Sequence, residues 1–158
     1  MTVWGALIGG FVGTLVLTTI LRAASELRIT RIDLPFLLGT MVTPDRKRAK
    51  ALGYLLHFFF GLSFALGYLA IFVALGYAGW LAGAVLGMLH AAFSSTALVN
   101  ALLPVVHPRM GDPSTSADRA ALLEAPGFLM LNYGVATPVI MLIAHIAYGA
   151  IVGGFIAQ

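Results

Sequence analysis

Four histidines carry most of the chemistry this chain can offer: His57, His90, His107 and His145. Two of them end matching runs. Asp33, Pro35, Phe36-Leu37, Thr43-Pro44, His57 and Gly61 occur in that order. Glu124, Pro126, Phe128-Leu129, Thr137-Pro138, His145 and Gly149 repeat it. Each run closes on His-x-x-x-Gly inside an apolar segment. The echo suggests two related halves, each placing one imidazole within a membrane.

An imidazole in hydrocarbon is costly unless paired, so intramembrane histidines are functional candidates. Three chemistries suit them. The first is a transition metal held by His57, His90 and His145, with His107, Asp33 and Glu124 as further ligands from the charged end. The second is haem b between two axial histidines of a helical bundle, for which His57 and His145 are the symmetric choice. The third is a proton or small-substrate path through His, Tyr, Ser and Asn groups. Against all three stands a plainer use, in which each ring hydrogen-bonds a neighbouring helix as Ser or Asn does. Asp33 and Glu124 likewise suit helix caps or ion pairs, with Arg31 and Arg119 nearby. No His-x-x-x-His or Glu-x-x-His pair supports the metal reading. The absence of cysteine removes disulfides, thiolate metal sites and Cys nucleophiles. Ser94-Ser95-Thr96 beside His90 forms no nucleophile arrangement. The chain therefore reads as a non-enzymatic subunit or binding protein.

The elements that position these residues follow from composition. Of the 158 residues, 60% are hydrophobic and 9% charged. A soluble domain carries about 25% charged residues, and a fold of this size cannot hide so much apolar surface from water. Lipid is the solvent. All charged side chains fall in two stretches, Arg22–Lys50 and Arg109–Glu124. The basic excess is therefore an orientation signal, with both charged loops on the cytoplasmic side, and not a sign of nucleic-acid binding. The expected partners are the bilayer and other membrane subunits or a second copy of the chain.

A span needs about 20 apolar residues. Spans are expected at about 3–21, 51–75, 80–103 and 136–157, with loops at 22–50 and 104–135, forming one all-α four-helix membrane domain. Both termini then lie outside the cytoplasm, across a prokaryotic inner membrane. Ala23–Ile32 extends the first span as an interfacial helix, and Pro35 and Gly39 break it. Thr43-Pro44 and Thr137-Pro138 are helix starts, with Thr as N-cap and Pro in the first turn. Gly76–Gly79 is a tight turn that makes spans two and three antiparallel neighbours. Tyr77 and Trp80 sit where an aromatic belt belongs. Gly9/Gly13 and Gly83/Gly87 are Gly-x-x-x-Gly pairs suited to close helix approach. Phe128–Tyr133 is expected at the interface or as a re-entrant piece. Gly111–Ser116 reads as a turn and Ala117–Leu123 as a short helical stretch.

Three further motifs carry a resemblance: His107-Pro108-Arg109-Met110, Asp33-Leu34-Pro35-x-Leu37-Leu38-Gly39, and Asn132-Tyr133-Gly134 followed by His145-x-x-Tyr148-Gly149. Together the chain resembles an uncharacterised prokaryotic family of small four-span membrane proteins. The resemblance covers nearly the whole chain. It implies a four-helix membrane domain and marks His57, His90, His107 and His145 as characteristic positions. It implies no activity, cofactor or partner.

Overall fold

The computed structural model describes residues 1–110 and 123–158. The turn and helical stretch expected at 111–122, with Arg119, lie outside the described residues. Helix α1 spans Val3–Glu26, α2 Leu34–Gly39, α3 Arg46–Leu75, and α4 Trp80–Phe93. α4 runs on without a break through a π-helix, Ser94–Leu102, into the short α5, Leu103–Val106. A 3-10 helix at Phe128–Tyr133 precedes α6, Thr137–Ile156. Four of these stretches are long and apolar enough to cross a membrane: 3–26, 46–75, 80–106 and 137–156. The protein is an all-α, multi-pass bundle. Its four spans put Thr2, the Gly76–Gly79 turn and Ala157 at one end and every described charged residue at or near the other.

Local chemistry sets the ends. Thr2 caps α1 through its hydroxyl, which accepts from Gly5 N at 3.0 Å. α1 stops at Glu26, short of the expected extension to Ile32, because Arg28 turns to a φ of 59°. Pro35 does not break a helix. It sits in the first turn of α2, behind Asp33 as N-cap, whose carboxylate accepts from Phe36 N at 3.0 Å. Missing its N–H costs proline nothing there. The cap of α3 is Asp45, which accepts from Arg48 N at 2.8 Å, so Thr43-Pro44 lies just before that helix. Thr137 and Pro138 occupy the first turn of α6, with Ala136 as the cap position. At 30 residues, α3 is about 45 Å long, against a hydrocarbon layer of about 30 Å.

α6 lies between α1 and α4, and glycine lets both come close. A methyl at Gly83 would strike the Gly149 carbonyl, and one at Gly87 the His145 carbonyl. On the other side, Gly9 faces Val152 and Phe155, and Gly13 faces Tyr148. α1 also packs on α3, where Gly61 has room only for the Thr14 hydroxyl. The Thr14 hydroxyl is itself satisfied, donating to Gly10 O at 2.7 Å. α2 folds back onto the start of α3 through Gly39 and Gly53, which meet the Ala49 and Pro35 carbonyls.

The remaining pair behaves differently. α3 and α4 are sequential, but their backbones stay apart, and only large side chains bridge the gap. A strict two-fold repeat would make the α3–α4 contact resemble the α1–α6 contact. One closes on glycine and the other stays open. The close crossings at Gly61 and at Gly149 do correspond, each joining the two helices of one half.

Candidate functional site

The gap between α3 and the α4–π–α5 rod holds a cavity of about 250 Å³. Its walls are nearly all hydrocarbon. α2 and the 3-10 helix close it at the charged end with Leu34, Leu38, Met41 and Met130. Phe60, Leu102 and Val106 line its mouth and remain 38–51% exposed. His57, His90 and His145 all face it, from α3, α4 and α6.

His145 and His90 are in direct contact, with ring centroids 4.8 Å apart in an edge-on arrangement. Phe64 lies against the His90 ring at 4.1 Å, and the Tyr68 and Tyr148 rings complete the cluster at 6.0 and 5.9 Å. Hydrogen bonds fix these rings. His145 Nδ1 lies 2.8 Å from Met141 O, one turn back on its own helix. A carbonyl only accepts, so Nδ1 carries the proton and Nε2 of the neutral ring is a bare acceptor. The Tyr68 hydroxyl hydrogen-bonds His90 Nδ1 at 3.3 Å. The Tyr148 hydroxyl donates to Gly61 O at 2.5 Å, tying α6 to α3 across the back of the cavity.

His57 stands apart from this pair. Its Nε2 is fully enclosed and has no hydrogen-bond partner, the one such side-chain atom among the described residues. An unmet buried polar group costs about 1–3 kcal/mol. His57 also borders a second, much smaller pocket toward the charged end, shared with Arg22, Asp33 and Tyr54. It therefore lies between a small recess that contains charged side chains and the apolar cavity.

The other candidate ligands do not join them. His107 Nε2 lies 3.1 Å from Leu37 O and 3.3 Å from the Thr40 hydroxyl, and its Nδ1 accepts from Arg109 N at 3.2 Å. Both ring nitrogens are engaged. Arg109 Nη1 donates to Thr40 O at 2.6 Å. The His-Pro-Arg corner thus clamps the C-terminal end of α2, where free carbonyls and the helix dipole favour a cation. Asp33 caps α2 and pairs with Lys50 at 3.6 Å. Glu124 pairs with Arg31 at 3.3 Å. Among the described residues no three His, Asp or Glu side chains gather as a metal centre would require. Of the two rings suggested as haem ligands, His145 touches His90 and not His57.

A lattice of bonds holds the floor. Arg31 N donates to Tyr133 O at 2.7 Å, and the Arg31 guanidinium reaches Asn132 O. The Thr30 and Thr137 hydroxyls meet at 2.6 Å. Tyr133 donates its hydroxyl to Glu124 O at 2.9 Å. Burial, helped by the Glu124 charge and opposed by Arg31, pushes the Tyr133 phenol up to about 12. Comparison with known protein families, with curated proteins and with solved structures finds no match.

Several of these features lie outside the sequence reading. Phe64 and Tyr68 look like packing residues in a phenylalanine-rich span. The π-helix left only Ser94, Ser95 and Asn100 as a trace. Asn100 Nδ2 donates to Ser95 O at 3.2 Å and Thr96 O at 2.9 Å within this stretch.

Proposed function

We propose that this protein is a non-enzymatic membrane binding subunit that takes an apolar molecule from the bilayer into its histidine-lined cavity. One observation carries the reading. The cavity is walled by hydrocarbon, is open on the side where α3 and α4 part, and has three imidazoles at its inner surface. An engineered apolar cavity of about 150 Å³ holds benzene, so about 250 Å³ accommodates a substituted ring with its tail trailing into lipid. The large side chains that prop the gap let the mouth widen without disturbing the glycine crossings on the other side of α6. Service within a larger membrane assembly, in a prokaryotic inner membrane with the charged end cytoplasmic, belongs to the same proposal. So does kinship with the family of small four-span proteins that the motifs resemble.

Native mass spectrometry of protein released from detergent tests it. The wild type is expected to retain one molecule of added nonylbenzene. Leu98→Trp, which places an indole in the cavity, should not. Equal retention by both, or by neither, would sink the reading.

A second reading has its own observation. His57 lines both the small recess at Asp33 and the apolar cavity, and its unpartnered Nε2 suits a proton relay between them. In that reading the protein conducts protons or serves a proton-exchanging ligand.

A further inference from the structure

The fixed tautomer of His145 limits what can occupy the cavity. Because Nδ1 donates to Met141 O at 2.8 Å, Nε2 offers only a lone pair. No described residue donates to it, and no acidic side chain lines the cavity. A ligand that presents only carbonyl or ether oxygens would set one acceptor against another there. A ligand with a hydroxyl would pair. The surroundings favour an aromatic hydroxyl over an aliphatic one. Phe64, His90 and Tyr148 present rings at the inner surface, and ring edges and faces pack well on a further ring. The mouth at Phe60 and Leu102 opens toward lipid and gives an alkyl tail its exit.

We propose that the cavity selects a phenol-type molecule with an apolar tail, its hydroxyl donating to His145 Nε2. This rests on the reading that the cavity takes an apolar molecule at all.

The test compares 4-nonylphenol, 4-nonylanisole, nonylbenzene and 1-nonanol by isothermal titration against protein in lipid nanodiscs. The phenol is expected to bind about tenfold more tightly than the anisole, the worth of one net hydrogen bond in a desolvated site. The alcohol should bind more weakly than the phenol. His145→Leu should bring phenol and anisole within about twofold of each other. His145→Gln, which keeps an acceptor, should restore part of the gap. Equal affinity of phenol and anisole in the wild type would overturn the proposal while nonylbenzene binding upholds the broader reading. Should none of the four bind, both fall together. The wild-type comparison stands whether or not the variants fold.

Discussion

Four histidines of similar standing in the sequence have four different fates. His107 is a clasp, with Nε2 holding the loop corner to α2 and Nδ1 bonded within the corner. His145 is bonded to its own helix and keeps one lone pair. His90 leans on Tyr68. His57 is enclosed with a nitrogen unmatched. Spacing alone could place three of them in the bundle core, since each recurs with small residues on one helical face. It could not tell His107 from the rest, because its partners are backbone groups of Leu37 and Arg109, which no residue type announces. Tyr133 supplies a residue-scale prediction. Its phenol ionises near 12 when folded and about 10 when unfolded. The folded state therefore holds the proton more tightly. Its contribution to stability is complete below about pH 10 and is lost as pH rises toward 12. The difference between alkaline absorbance titrations of wild type and Tyr133→Phe should show one phenol ionising near pH 12. A difference step near pH 10 would refute it.

At the scale of elements, hydropathy and helix-end chemistry made the four spans legible. Their ends shift by a few residues where caps compete, as at Asp45 against Thr43. Three elements were not legible. α2 is hidden because a proline in a short apolar stretch reads equally as a break or a first turn. The π-helix is hidden because its residues fit an α-helix just as well. The wide α3–α4 gap is hidden because a tight turn constrains only the ends of two helices and leaves their separation to side-chain size. The glycines give a sharp test. Gly83→Ala drives a methyl into the Gly149 carbonyl, and neither backbone can retreat. It should destabilise the bundle by about 3 kcal/mol, at the upper end of overpacking costs. Gly67, on the exposed face of α3 with open space around it, provides the control. Gly67→Ala should be neutral or stabilise by about 0.5–1 kcal/mol. Reversible unfolding in mixed detergent would rank the two. A ranking with Gly67→Ala as the more damaging change would contradict the described packing.

For the whole molecule, the asymmetric distribution of charge is the strongest global feature. Every described charged side chain lies at or near one end. The proposed orientation, with this end in the cytoplasm, rests on the positive-inside tendency and on the attraction of basic side chains to an anionic leaflet. The chain has no cysteine, so single-cysteine variants report without background. Arg46→Cys should react with an impermeant maleimide only after the membrane is opened, and Tyr77→Cys should react in intact cells. The reverse pattern would invert the orientation. Each half brings its two helices together at a glycine crossing, but the two contacts between halves differ, and the cavity occupies the looser one.

The central position of α6 bears on how the protein is made. α1 and α4 meet each other hardly at all and meet α6 extensively. α6 follows both in the chain, so it leaves the ribosome after them. Synthesis runs at roughly 5–20 residues per second. For the seconds needed to translate the intervening chain, the bare backbone strips at Gly9, Gly13, Gly83 and Gly87 face lipid or the insertion machinery with nothing to match them. The first three spans are thus a waiting state, open to capture by unrelated helices and to membrane quality control. Arrival of the last span fills both strips in one event and joins the α1–α3 pair to α4 as one bundle.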